Sequence, residues 1–178
     1  MSGVPVGPIP SSLVPITDEQ LIFLLLRGST FPTGRELAEF VEEGVYFDDD
    51  PRFIPGLDEL DDAPLEQLTI VWDEDRPPVI IQRVSPAELE QTVGEVKKLL
   101  QTLPEEPNER IHSALDALPK SRHLVRITVD AETMTDEAWA MLDSLEAHLA
   151  RTYAGLVYVP GDGVFDADLQ PIYRRPPK

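Results

Sequence analysis

The sequence predicts an α+β protein in which an antiparallel or mixed sheet carries helices packed on one face. Two observations support this class. Two short β-type runs, 68–72 and 79–84, flank a polar turn at 73–78 that contains two prolines, the pattern of a hairpin. The predicted elements from residue 67 onward then follow the order strand-strand-helix and strand-helix-strand-strand, which is typical of an antiparallel sheet with segregated helices.

Two long helices are predicted after the hairpin. Ser85 and Pro86 supply an N-cap and a first helical residue for a helix over 86–103. A second helix over 135–152 follows from apolar residues at steps of three and four. Between and after these helices, strands are expected at 123–129 and 156–159. Smaller elements are predicted at 110–118 (a helix), 164–166 and 172–173 (strands).

Residues 17–66 are predicted to form an acidic helical segment and loop, ahead of an α+β core at 67–173. Thr17 and Gln20 have the spacing of a capping box and Gly28 is a suitable stop, so a helix is expected over 17–27. The pattern of apolar residues predicts a second helix over 35–43, with Gly44 as its C-cap. Residues 48–62 contain two prolines and seven acids, which favours a loop.

The chain ends differ from the rest in composition. Residues 1–16 hold four prolines, six large apolar residues and no charged side chain, which predicts an extended Pro-rich N-terminal arm lying on the domain or on a partner. Residues 174–178 form a short basic tail.

The charge of the chain excludes several ligand classes. Asp and Glu number 33 against 15 Lys and Arg, a formal net charge of −18, which disfavours nucleic acid and anionic membranes as ligands. Residues 17–66 hold 14 acids and 3 bases, so they carry most of this excess. Seven acids fall within fifteen residues and are predicted to bind a basic protein partner, the alternative being a solvated loop. They are Asp48, Asp49, Asp50, Asp58, Glu59, Asp61 and Asp62.

No catalytic or cofactor motif is present, so the protein is predicted to be non-enzymatic and to need no cofactor. The chain has no Cys, and its three His residues are widely spaced, which argues against a zinc site. Asp162, Asp166 and Asp168 lack the spacing of a calcium loop. Glu95 and Lys97 follow Asp73 as in some nucleases, but helical geometry turns positions two apart away from each other.

Membrane insertion is not predicted. The longest apolar run, 21–26, has six residues, whereas a membrane-spanning helix needs about 20. The N-terminal residues lack a basic start and an apolar core of the signal-peptide type, so a cytoplasmic location is expected.

The stretch from His123 to Asp168 contains a recognisable series of segments. A strand precedes a helix ending in Leu149-Ala150, then come the run 153–158 and the run 163–168. This series resembles the C-terminal portion of small acidic bacterial immunity proteins of polymorphic toxin systems, and of related uncharacterised families. The sequence departs from that pattern at Ala154 and Leu169, where Gly is usual. The resemblance implies a binding protein and transfers no binding residue.

Together these observations predict a non-enzymatic acidic binding protein of the immunity or inhibitor kind, docking on a basic protein partner. The alternative is a structural or assembly subunit of a larger bacterial or phage complex, which the Pro-rich arm favours because extended arms dock on neighbouring subunits. An enzyme or a mimic of DNA fits the sequence less well. The oligomeric state stays open.

Overall fold

A computed structural model of the chain describes residues 13–103 and 108–175. Most of the predicted arm and the last three residues of the predicted tail lie outside these ranges. The described strands are β1 (Glu19–Leu26), β2 (Arg52–Ile54), β3 (Gln67–Val71), β4 (Val79–Arg83), β5 (His123–Asp130), β6 (Gly155–Val159), β7 (Gly163–Phe165) and β8 (Pro171–Arg174). The described α-helices are α1 (Gly34–Gly44), α2 (Pro86–Gln101), α3 (Glu109–Ala117) and α4 (Asp136–Thr152).

The strands form an eight-stranded antiparallel sheet in the order β2-β3-β4-β5-β1-β6-β7-β8. The α+β class is therefore confirmed, as is the predicted hairpin, in which Gln67 pairs with Gln82 and Ile70 with Val79. Contacts divide the chain into two compact units. The first holds residues up to Leu21, Pro32–Arg83 and Ile127–Leu145, and the second holds Ile22–Phe31, Val84–Arg126 and the chain from Glu146 onward.

The predicted helix over 17–27 is wrong, because this segment forms strand β1. In the sheet order β1 lies between β5 and β6, and Phe23 pairs with Tyr158 and Leu26 with Gly155. A strand buried on both faces has a continuous apolar run rather than an alternating pattern, and such a run cannot be told from a buried helix by periodicity. The short helical pair predicted before the core is thus one strand and one helix.

The predicted loop at 48–62 is also only partly a loop. Residues Arg52–Ile54 form β2, an edge strand in which Arg52 pairs with Val71 and Ile54 with Thr69. A short 3-10 turn follows at Leu57–Glu59. As a result, strand β2 separates the acids at 48–50 from those at 58–62. At the other end of the chain, Arg174 belongs to β8 rather than to a tail.

The helix boundaries follow the sequence signals closely. The Ser85 hydroxyl accepts a hydrogen bond from the Glu88 backbone N–H at 3.2 Å, with Pro86 in the first turn of α2. Helix α1 begins after Thr33, whose side chain caps the Glu36 N–H. Its end differs from the prediction, because Val45 rather than Gly44 adopts the left-handed cap conformation, with φ of 49°. A β-branched residue is strained in this conformation.

Positive φ also occurs at Ala154 (53°) and Leu169 (59°). These are the two positions at which the predicted resemblance would place Gly, a residue that adopts this backbone conformation without steric cost.

Both faces of the sheet are covered in the second unit. Leu25 and Leu156 belong to one apolar cluster with Val96 and Leu100 of α2 and Ile111 of α3. Leu24 and Leu26 point to the opposite face, because side chains alternate along a strand, and both are fully buried. Helices on a single face, as predicted, do not account for this burial.

The start of β1 is fixed by a buried carboxylate on β5. Asp130 is 2% exposed, and its Oδ2 atom accepts hydrogen bonds from the Thr17 backbone N–H at 3.0 Å and from the Thr17 hydroxyl at 3.3 Å. Its other oxygen accepts from the Glu132 N–H at 3.2 Å. These bonds, first of all the one from the Thr17 backbone, hold the pKa of Asp130 below its ordinary value.

Asp130 should therefore make stability depend on pH. Because its pKa is lower in the folded state, its contribution is present above the ordinary aspartate pKa of about 3.9 and is lost as the pH falls through the folded value. We expect Asp130→Asn to be less stable than the parent protein near neutral pH, and the difference to shrink as the pH falls below about 4. Urea denaturation across this range measures it. A difference that stays constant with pH would show that the charge of Asp130 contributes nothing.

Candidate partner-binding site

All seven acids predicted to bind a partner are exposed, but the structure brings only three of them together with other acids. Asp48, Asp49 and Asp50 follow α1 and line an open cleft of about 510 Å³. None of Asp58, Glu59, Asp61 and Asp62 lines it. Instead, Asp61 accepts a hydrogen bond from the Ala63 N–H at 2.9 Å, and Asp62 lies 3.6 Å from the Arg35 guanidinium. The second group is thus partly engaged in local contacts.

We call this site the acidic cleft. It combines acids from three separate stretches of the first unit, namely the run 48–50, the β3–β4 turn at 73–75 and the first turn of α4. Its acidic residues are Asp48, Asp49, Asp50, Asp73, Glu74, Asp75 and Glu137, and no basic residue is among the side chains that line it. Carboxylates this close raise the local negative potential and attract a cationic group.

The β3–β4 turn holds its acids in a defined geometry. The Asp73 carboxylate accepts a hydrogen bond from the Asp75 backbone N–H at 2.9 Å, and the Arg76 N–H donates to the Asp73 carbonyl at 3.1 Å. An Asp side chain that bonds two residues ahead favours a tight turn. The turn therefore presents three consecutive acidic side chains on a hydrogen-bonded hairpin.

Aromatic rings form the apolar part of the acidic cleft. Phe47 and Trp72 stack with ring centroids 5.8 Å apart and an interplanar angle of 24°, and Tyr46 meets Phe47 edge-on at 6.5 Å. Trp72 is 7% exposed, whereas Phe47 is half-buried. The Trp72 indole N–H is buried and has no hydrogen-bond partner among the described residues. The rings of Phe47 and of Tyr46, which is also half-buried, are thus the ones that an incoming group can reach.

Two arginines neutralise part of the charge at the edge of the acidic cleft. Arg52 donates two hydrogen bonds to Glu74, at 3.0 and 3.1 Å, and this pairing raises the pKa of Arg52 and lowers that of Glu74. Arg76 lies 3.4 Å from the Asp73 carboxylate and 5.9 Å above the Trp72 ring. The remaining acids, Asp48, Asp49, Asp50, Asp75 and Glu137, form no ion pair within the described residues.

Sequence reasoning missed the residues that complete the acidic cleft. The sequence predicted a turn at 73–78 and a strand ending at Trp72, and neither was expected to belong to a binding site. The run Asp73-Glu74-Asp75 next to a Trp was a usable signal, but its proximity to 48–50 depends on the β2–β3 pairing, which the sequence did not indicate.

Residues of the calcium-like and nuclease-like patterns that the sequence analysis argued against form local contacts in the structure. Asp166 and Asp168, considered for calcium, pair with Arg110 and Arg151. Glu95, considered for a nuclease site, accepts a hydrogen bond of 2.5 Å from the Tyr158 hydroxyl, and burial together with this bond raises the pKa of Tyr158. In the described ranges, no group of three or more His, Asp or Glu side chains is arranged to hold a metal ion.

Comparison of the chain with protein-family models, curated proteins and solved structures returns no match. The resemblance to immunity proteins therefore stays a prediction. None of the helices within 13–103 and 108–175 has both the length and the apolar character that crossing a membrane requires.

Proposed function

We propose that the protein is a non-enzymatic binding protein of the immunity or inhibitor kind, and that its acidic cleft receives a basic segment of a protein partner. The observation that carries this proposal is that Asp48–Asp50 and the acids of the β3–β4 turn line one cleft together with the half-buried ring of Phe47. The chain has no Cys and therefore needs no oxidising compartment for disulfides, and we place the encounter in the cytoplasm.

The unpaired carboxylates of the acidic cleft favour a cationic partner. Five carboxylates of the acidic cleft form no ion pair with a described residue, and their mutual repulsion is a cost that an incoming cation removes. Opposed charges also raise the rate of association, which matters for a protein that must intercept its partner quickly.

Arg76 of the protein itself lies in the kind of environment that we propose for the partner's basic residue. Its guanidinium lies above the Trp72 ring, close to the Asp73 carboxylate, and donates to the Thr133 carbonyl at 2.7 Å. An aromatic face beside a carboxylate is a favourable environment for arginine. Phe47, stacked on the same Trp72 and next to Asp48, offers a similar combination to an arginine or lysine from outside.

Two triple variants that remove equal charge test the proposal. The cleft variant is Asp48→Asn/Asp49→Asn/Asp50→Asn and the control is Asp58→Asn/Asp61→Asn/Asp62→Asn. The probe is a peptide of nine arginines, titrated by calorimetry at low and at moderate salt. We expect the dissociation constant to rise at least about tenfold for the cleft variant and by less than about threefold for the control.

The matched charge makes the comparison informative, because loss of non-specific attraction is the same in both variants. Equal weakening in the two variants would contradict a localised site and would reduce the acids to a general charge effect. The alternative role, an assembly subunit, has no observation within the described residues that favours it over this account.

A further inference from the structure

A group of basic residues in the second unit contrasts with the acidic cleft. Arg27, Lys120 and Arg122 line one open cavity of about 480 Å³ together with Pro119 and Ser121, and no acidic residue lines it. We call these three residues the basic cluster. All three side chains are exposed.

The basic cluster lacks the ion pairs that the chain provides elsewhere. Other arginines of the described residues form ion pairs with acids, among them Arg35, Arg110 and Arg151. Arg27, Lys120 and Arg122 form none within the described residues, although acids outnumber bases by 33 to 15. Asp116 lines a neighbouring cavity with Arg27 and Lys120, yet it pairs with neither. Three positive charges without an ion pair therefore line one cavity, although acids are plentiful in the chain.

Backbone hydrogen bonds just beyond the ends of the strands fix the chain at Arg27 and Arg122. The Arg122 N–H donates to the Leu26 carbonyl at 2.8 Å, and the Arg27 N–H donates to the Ala154 carbonyl at 3.0 Å. The Nε of Arg27 also donates to the Ala154 carbonyl, at 3.1 Å. Its two terminal nitrogens make no hydrogen bond to a described residue, so they can bind an outside acceptor. The backbone at Arg27 and Arg122 and the Arg27 side chain are thus held in place in the absence of a ligand.

We propose that the basic cluster binds a phosphate group carried by a small molecule. A phosphate dianion accepts several charge-assisted hydrogen bonds at once, and two guanidinium groups, an ammonium group and the Ser121 hydroxyl supply the donors. The negative net charge of the chain favours a small anion over a large one. At physiological salt, charges further than about 8 Å are largely screened, so a small anion responds mainly to the local cations.

Larger anions fit less well. Nucleic acid extends over many screening lengths, so the rest of the protein, whose net charge is −18, repels it. A second copy of this chain carries the same net charge and is repelled for the same reason. A compact phosphate avoids both penalties. This site shares no residue with the acidic cleft, so the inference does not depend on the proposed function.

The test uses pyrophosphate, inorganic phosphate and citrate at constant ionic strength, with backbone amide signals of the full chain followed by NMR. We expect saturable shifts at Lys120, Ser121 and Arg122 with pyrophosphate and inorganic phosphate, with dissociation constants on the order of 1 mM. In Arg27→Gln/Lys120→Gln/Arg122→Gln the constants should rise at least about tenfold. The control, Lys97→Gln/Lys98→Gln/Arg175→Gln, removes three other cations that form no ion pair with a described residue and should leave binding unchanged.

Three results would overturn the proposal. Shifts that do not saturate, or an equal loss of binding in the control variant, would reduce the effect to general attraction of anions. Citrate binding as tightly as pyrophosphate would show that the basic cluster selects charge rather than phosphate. Signals that change with protein concentration instead of phosphate would indicate association between copies of the chain.

Discussion

Replacing Trp72 by alanine should lower the free energy of unfolding by about 3–5 kcal/mol, the range for removal of a large buried aromatic side chain. Trp72 is 7% exposed, stacks on Phe47 and lies beneath the Arg76 guanidinium. Its removal leaves a cavity and takes away a contact of both neighbours. Urea denaturation of the full chain measures the change.

Trp72→Phe is the informative companion variant. The Trp72 indole N–H has no hydrogen-bond partner among the described residues, so its loss breaks no bond and relieves an unsatisfied donor, which typically costs about 1–3 kcal/mol. That gain offsets much of the lost packing. We expect Trp72→Phe to cost well under half of what Trp72→Ala costs. Equal costs would mean that the indole nitrogen makes a stabilising contact.

Replacing Leu25 by alanine should lower the free energy of unfolding by about 2–5 kcal/mol. Leu25 is 1% exposed near the end of β1, pairs with Leu156 and packs in the cluster that includes Leu100. The matched control is Leu21→Ala, because Leu21 lies on the same strand but is only half-buried. A smaller loss for Leu25→Ala than for Leu21→Ala would contradict the placement of β1 within the sheet.

The segment containing Leu25 also shows where sequence reasoning fails. Local signals at Thr17 and Gly28 favoured a helix, and the unbroken apolar run offered no alternation to oppose it. The structure uses Thr17 differently, since its N–H and hydroxyl bind Asp130, which lies 113 residues further along the chain. A partner this distant leaves no trace in a local window. By contrast, α2 was predicted well because Ser85 and Pro86 determine its start locally.

The candidate site also has one part that the sequence predicted and another that depends on tertiary structure. The exposure of Asp48, Asp49 and Asp50 followed from their composition alone. Their association with Asp73 and Glu137 required the pairing of β2 with β3 and the position of α4, which are products of tertiary structure. A sequence can therefore indicate an acidic surface while leaving open which acids act together.

The most direct measurement is an NMR titration of the protein with the nine-arginine peptide, in a Trp139→Phe background that leaves Trp72 as the single indole. The account predicts that the largest shifts occur at the Trp72 indole N–H, the Phe47 ring and the amides of Asp48–Asp50, and that these shifts saturate together. Amides of Asp58–Asp62 should shift little. Shifts that are largest at 58–62, or spread evenly over the acidic surface, would contradict binding at the acidic cleft.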